Sequence, residues 1–419
     1  MQRRVGRLAA VGTLATVTAL ALTACGSGSG FSDDASAPSD GALTSSDDSL
    51  SVLIAASGDA EATAVRSAVT GWADESGTGA EVMVASDLPQ QLSQGFASGS
   101  PADVFYLSTD ALAGFAENGS LLAYGDQLAN VDDFFPTLVD SFTYDGTFYC
   151  APKDFSTLGL VINNQMWQDA GLTDADVPTS WDELRSVAAA LTTPDHVGLT
   201  LSPEYARVGA FMAQGGGSLT SADGTEATVD SAENVAGLTF VKELLTSGDA
   251  AFSSDLGSGW GGEAFGSGKA AMTVEGNWIA GALSADYPDV DYQVVPLPEG
   301  PGGPGTLQFT NCWGIAADSP NQEAALELVE HLTSTEQQLA FAEAFGVMPS
   351  VQSAADDWKD ANPDKAAFLD SADFAQGVPT QSGALDVVAD FNSSLEGLAT
   401  ADPAALLASF QSNYEAILP

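Results

Sequence analysis

Ser51-Val-Leu-Ile-Ala-Ala-Ser57 is an apolar run closed by small polar residues, and it opens a regular alternation. Such a short run reads as a buried strand. Val65, Val69 and Trp72 then recur at helical spacing. Glu81-Val-Met-Val-Ala-Ser86 is a second strand, Gln91 to Ala97 a short helix, and Ala102-Asp-Val-Phe-Tyr-Leu-Ser108 a third strand. A helix from Thr109 to Asn118 stops at Gly119. This order predicts an α/β fold with a mainly parallel sheet covered by helices. The turn after the first strand, Ser57-Gly58-Asp59-Ala60, lacks the glycine pattern of a dinucleotide site, and no P-loop occurs in the chain.

Further along, Phe148-Tyr-Cys-Ala-Pro152 and Leu158-Gly-Leu-Val-Ile-Asn163 are strand-like. Ser180-Trp-Asp-Glu183 has capping-box spacing and opens a helix through Leu191. Glu233 to Thr246 and Thr333 to Phe345 read as helices, the second with Thr333 and Glu336 in the same spacing. Gly215-Gly-Gly217 and Pro296 to Pro304 read as loops, and no internal repeat is present.

The N-terminus carries a different message. Arg3, Arg4 and Arg7 precede an apolar run from Leu8 to Ala24, ending Leu22-Thr-Ala-Cys25. A basic head, a short Ala/Thr-rich apolar segment and small residues before a cut describe a secretory signal over residues 1–24. Leu-Thr-Ala-Cys resembles the lipobox of bacterial lipoproteins, which implies lipidation of Cys25. Residues 25–48 are mostly Gly, Ser, Ala and Asp, with too little apolar surface to offset ordering, and read as a tether. About 370 residues remain for the folded part, enough for roughly two domains.

Beyond the signal, eight basic residues (Arg66, Lys153, Arg185, Arg207, Lys242, Lys269, Lys359 and Lys365) face 57 acidic ones. That imbalance repels nucleic acid and argues against an anionic ligand. Cys150 and Cys312 remain as an even pair in an oxidising compartment, where a disulfide is the default. His196 and His331 are the only histidines, so no catalytic triad or zinc site can be assembled around them. Acidic residues are so numerous that a glycosidase-like carboxylate pair would arise in almost any fold, so their abundance is no evidence for that alternative, and an acidic box for a polyamine is a further one.

Five stretches, taken in order behind a lipobox, resemble one family. They are Pro101-Ala-Asp-Val-Phe-Tyr-Leu-Ser108; Gly146-Thr-Phe-Tyr-Cys-Ala-Pro152 with Gly159-Leu-Val-Ile-Asn-Asn164; Pro178-Thr-Ser-Trp-Asp-Glu-Leu184; Ala264-Phe-Gly-Ser-Gly-Lys-Ala-Ala-Met272 with Glu275-Gly-Asn-Trp278; and Gly314-Ile-Ala-Ala-Asp-Ser319 with Gly346-Val-Met-Pro-Ser350. From about residue 50 onward the chain resembles the extracellular solute-binding proteins of family 1, which feed bacterial ABC importers, and most of all their oligosaccharide binders. The resemblance implies a two-lobed periplasmic-binding-protein-like fold. Its ligand cleft lies between lobes joined by hinge strands, crossing near Tyr149–Ala151 and returning near Thr310–Trp313. One lobe then takes residues 49–150 and about 312–355; the other takes 151–311 and about 356–419. Both spare cysteines fall at the crossings. The implied partners are a carbohydrate, the permease subunits of an importer and, through Cys25, the outer face of the cell membrane. The protein is expected to act as a monomer without cofactor or metal, and not as an enzyme.

A neutral sugar needs aromatic platforms for its C–H faces and Asp, Glu, Asn or Gln for its hydroxyls. Trp278 matches the family position for stacking, with Glu275 and Asn277 beside it. Glu204 and Tyr205 stand where the oligosaccharide binders often place a cleft pair, although an exposed loop pair fits as well. Asp154 follows the crossing strand and is either a hydroxyl acceptor or a cap. Asp59 and Asp110 follow the first and third strands, at the strand ends where ligands of open α/β sheets gather. Trp260, among glycines, and Trp313, at a crossing, fit cleft or core equally, whereas Trp72, Trp167 and Trp181 read as core.

Overall fold

The computed structural model describes residues 42–221 and 224–418. The signal segment, Cys25 and most of the expected tether lie outside the described residues. The opening alternation forms as its pattern dictates. β1 (Leu50–Ile54), β2 (Ala80–Val84) and β3 (Val104–Ser108) are linked by helices Asp59–Ser76 and Leu88–Ser98. β1 pairs in parallel with both other strands. Val65, Val69 and Trp72 put the first helix against this sheet, and Asp87 caps the second by accepting from the Gln90 amide.

A second group of strands, of mixed direction, lies further along. β4 (Ala151–Asn163) is followed by β5 (Val197–Leu201), β6 (Ala250–Phe252), β7 (Ala270–Gly276) and β8 (Tyr292–Val295). β9 (Thr306–Ile315) and β10 (Ala375–Gly377) complete the sheet, whose main path runs β2-β1-β3-β9-β4-β7-β5-β6. β5 pairs in parallel with β6 and β7.

β4 and β9 connect the two groups. They pair antiparallel from Gln308 opposite Thr157 to Trp313 opposite Ala151, with a register shift between Asn311 and Cys312. The end of β9 pairs with β3, while the far half of β4 pairs with β7. One apolar core gathers β1–β3 with Trp313, Leu328, Phe341 and Val351. The other gathers Leu158, Leu199, Phe211, Phe240, Met272 and the C-terminal Phe391, Phe410 and Tyr414. A smaller cluster beside the crossing joins Phe155 and Val161 to Phe265, Ile279, Trp358 and Phe368. Cys150 and Cys312 are disulfide-bonded, with their Cα atoms 5.7 Å apart, inside the first core.

Several local expectations change. The stretch from Leu158 extends back through Lys153–Thr157 to Ala151 as one thirteen-residue strand, because most of the polar residues there are buried against partners, while Phe148 of the earlier stretch belongs to a separate short strand, Thr147–Phe148. Glu183 does not close a box on Ser180; its carboxylate accepts from the Thr179 amide (2.8 Å) and hydroxyl (2.7 Å) instead. Thr333 ends the preceding helix by donating to the Val329 carbonyl, and Ser334 caps helix Thr335–Phe345. The tether ends before Asp48. The Thr44 hydroxyl and carbonyl accept from the amides of Gln322 and Glu323, serving a helix start whose own Asn321 side chain provides no cap.

Candidate ligand-binding site

The carboxyl ends of the parallel strands carry two clusters of buried charge, one in each half of the sheet. After β1, the chain turns at Ser57-Gly58 into helix Asp59–Ser76, and Glu61 in its first turn points inward at 4% exposure. Glu61 Oε2 accepts from the Ser57 amide and hydroxyl, each at 2.7 Å, and Oε1 from Tyr106 Oη (3.0 Å) and Lys153 Nζ (3.2 Å). Lys153 also pairs with Asp154, and its ammonium lies 4.6 Å from the centroid of the Tyr106 ring. Burial alone would raise the Glu61 pKa, but Lys153 and the hydrogen bonds from Ser57 and Tyr106 together hold it below the usual carboxylate value. For Lys153 burial acts downward and is outweighed by Asp154 and Glu61, so the ammonium is retained. Burial pushes Asp154 upward by more than Lys153 pulls it down.

In the other half, β7 ends Glu275-Gly276 and leads through Asn277 and Trp278 into helix Ile279–Asp286. Glu275 has no exposed surface, and its Oε2 accepts from Arg207 Nη2 (2.8 Å) and Trp278 Nε1 (3.0 Å). Burial pushes its pKa up, and Arg207 and Trp278 offset that only in part. Arg207 belongs to helix Tyr205–Gln214, which starts just after β5, and its guanidinium carbon lies 5.2 Å from the Trp278 ring centroid. Trp278 itself is 37% exposed, one of four large apolar side chains that reach this level among the described residues. Phe309 of β9 meets it edge-on at 5.5 Å, and the Asn277 amide donates to the Gly346 carbonyl. Since Phe345 lies beside Lys153 and Phe309 is two residues from Asn311, the partner of Asp154, both clusters flank the same crossing strands.

The remaining candidates are placed as follows. Glu204 is exposed, with a carboxylate oxygen 3.9 Å from Arg207 Nη1. Tyr205 turns the other way: it is buried, packs against Phe410, and lines a cavity of about 390 Å³ with Thr137, Gln376 and Tyr414. That cavity includes neither Trp278 nor Asp154. Asp59 is exposed at the first position of its helix, and Asp110 is half-buried in the first turn of helix Thr109–Glu117. Trp260 is half-buried, its ring lying across Gly262. Trp313 is core, 1% exposed, and Trp358 is buried with its indole N–H on the Val347 carbonyl. Sequence reasoning missed Glu61, Tyr106, Lys153, Arg207 and Phe309. Scarcity of basic residues was the available signal, since a cation within an apolar strand or helix of so acidic a chain must meet carboxylates. Among the described residues no cluster of three His, Cys, Asp or Glu side chains could hold a metal, and no helix is long and apolar enough to cross a membrane.

Strand ends from two half-sheets converging on one crossing is the geometry of a receptor that holds its ligand between lobes. A family model for bacterial extracellular solute-binding proteins matches residues 75–367. The chain belongs to that family. Among curated relatives of this solute-binding protein, the diacetylchitobiose binding protein DasA of Streptomyces coelicolor is 25% identical over 280 residues, covering 64% of this chain and 65% of the relative. The match thus spans just under two thirds of that relative's length. Two solved structures superpose more completely. The cyclic alpha-maltosyl-1,6-maltose binding protein of Arthrobacter globiformis gives a TM-score of 0.79 at 20% identity, over 88% of this chain and 98% of its own. The GacH receptor of Streptomyces glaucescens, solved free and with acarbose, gives 0.74 at 23% identity over the same shares. These likenesses establish the two-lobed α/β fold expected from the sequence.

Proposed function

We propose that this solute-binding protein captures a carbohydrate, of oligosaccharide size, and presents it to the permease subunits of an ABC importer without changing it chemically. The observation that carries the reading is Trp278: an indole more than one-third exposed at a strand end, held on a buried ion pair, across the crossing strands from a second cluster of carboxylates. Such a face suits the C–H side of a sugar ring, while Glu204, exposed beside Arg207, offers a carboxylate to its hydroxyls. The diacetylchitobiose named for DasA supports the same ligand class. The lobes are taken as 49–150 with about 312–355, and 151–311 with about 356–419. Each protein molecule works alone, tethered to the outer face of the membrane through lipid on Cys25.

The test is a thermal-shift screen of the purified protein against mono- and oligosaccharides, with spermidine included. A ligand at a hundred times its dissociation constant adds about 2.7 kcal/mol of stability. Hits are followed by small-angle scattering and by chromatography of the recovered ligand. A smaller radius with an intact sugar is expected. Stabilisation by spermidine alone overturns the carbohydrate reading, and cleavage of the sugar overturns the receptor reading in favour of a glycosidase.

A further inference from the structure

Arg207 and Glu275 do more than neutralise each other. Glu275 Oε2 takes two donors, Arg207 Nη2 and Trp278 Nε1, so one oxygen ties the guanidinium to the indole. The guanidinium carbon also lies 5.2 Å from the indole centroid, a cation–π contact. Gly276 closes the arrangement from below, since a Cβ there would come within 2.2 Å of Trp278 Cζ3. Phe309 fixes an edge, its ring turned 77° from the indole. A 37% exposed tryptophan would otherwise sample several rotamers and lose that freedom on binding.

Two features indicate that the pair is present for the ring rather than for stability or for direct contact. Arg207 Nε and Glu275 Oε1 are buried without a hydrogen-bond partner among the described residues, an arrangement that weakens a buried ion pair as a stabilising device. Glu275 is also fully covered and Arg207 nearly so, at 0% and 8% exposure, which leaves a ligand little to reach.

We propose that Arg207 and Glu275 are positioning residues that preset the plane of the Trp278 indole, making it a rigid platform before the ligand arrives. This rests on the reading of Trp278 as the ligand platform, and it assigns Glu275 to the support of the ring rather than to sugar hydroxyls.

Removing one charge alone strands the other in a buried site, so the decisive variant is the double substitution Arg207→Met with Glu275→Gln, which replaces both ions by neutral groups of similar size. The full folded domain, labelled with ¹⁵N at its tryptophan indoles, is compared with and without the double substitution. Trp278→Phe identifies the Trp278 cross-peak. Binding is titrated with N,N′-diacetylchitobiose and with maltotetraose. In the double variant the Trp278 peak is expected to move and broaden in the unliganded protein, with the other indole peaks in place. Affinity is expected to fall roughly tenfold. In a Trp278→Ala background the same double substitution should have no further effect on affinity, because both residues act through the ring. An unmoved, sharp Trp278 peak overturns the proposal, as does a further loss of affinity in the Trp278→Ala background. Wild-type protein that binds neither sugar counts against the carbohydrate reading, while the indole peak still decides the positioning role.

Discussion

Removing the Cys150–Cys312 bridge offers a test whose size follows from the fold. The bonded residues are 162 positions apart, so the crosslink closes a very long loop in the unfolded chain. On the chain-entropy model a loop of that length costs the unfolded state about 5 kcal/mol, whereas measured bridges typically contribute about 2–4. The folded state has little to lose, because the strands remain paired through Trp313 and Ala151 without the bond. Cys150 and Cys312 are 1% and 0% exposed, so alanine, which brings no polar group, is the suitable replacement. The double substitution Cys150→Ala with Cys312→Ala should therefore destabilise by about 3–5 kcal/mol. A folded part of this length gains unfolding entropy of about 0.8 kcal/mol per kelvin, so the melting temperature should drop by only about 4–6 °C. Scanning calorimetry reads the shift, and reductant should lower the melting temperature of the wild type but leave the variant unchanged. Two freely alkylated thiols in the unreduced wild type would refute the bridge. A variant melting within a degree of the oxidised wild type would refute the entropic argument.

Three other perturbations address the site and the anchor. Trp278→Ala should weaken sugar binding at least roughly thirtyfold, about 2 kcal/mol, with the unliganded melting temperature nearly unchanged; calorimetric titration beside thermal melts checks both, and wild-type affinity in a folded variant removes Trp278 from the site. Lys153→Met leaves Glu61 and Asp154 as neighbouring buried carboxylates without their cation and should cost about 3–5 kcal/mol at pH 7. In the wild type the folded pKa of Glu61 is held below its ordinary value, so that contribution is present above about pH 4.5 and is lost as pH falls through the lowered value. In the variant both carboxyls are pushed up, which reverses the sign. The stability gap between the two proteins must therefore narrow from pH 7 to pH 4 in urea titrations, and a pH-independent gap contradicts the charge network. Cys25→Ala should release the protein from the membrane fraction into the medium, and retention of the variant on membranes counts against a lipid anchor on that residue.

What the sequence disclosed and what it withheld divide along physical lines. β1 and β3 were legible because each is a short apolar run between turn residues and is buried as that composition asks, whereas β2 was legible as a strand but lies at the sheet edge with Met83 and Val84 exposed. β4 was read as two pieces because Lys153, Asp154, Ser156 and Thr157 look like a loop until their partners are known. Thr157 donates to the Phe368 carbonyl, 211 residues away. Ser180 caps its helix as its position in the sequence indicates, and only the return contact of Glu183 goes to Thr179 instead. The cap at Thr333 is off by one residue, because Thr333 and Ser334 compete for the same helix start and only the backbone path decides between them. Trp278 was visible as part of a motif, but its orientation was not, because Glu275 fixes it together with an arginine 68 residues upstream.

The two cations at the site show why the missing half was hidden. A lysine or arginine is buried only where carboxylates repay its lost hydration, and the choice of carboxylate is a long-range event. Lys153 meets Glu61 across 92 residues and Arg207 meets Glu275 across 68. Arg185, by contrast, pairs with Asp182 and Glu243 at the surface and keeps 40% of its side chain exposed. Lys153 and Arg207 are each less than one-tenth exposed, and each also lies within 6 Å of an aromatic ring centroid at a strand end. Burying a cation there does two jobs that solvent exposure cannot. It opposes the upward push of burial on the neighbouring carboxylates, and it sets a positive charge against the face of an aromatic ring beside the crossing strands. In a chain this acidic, the two buried cations rather than the abundant acids mark where the fold gathers charge and aromatic rings at the crossing strands.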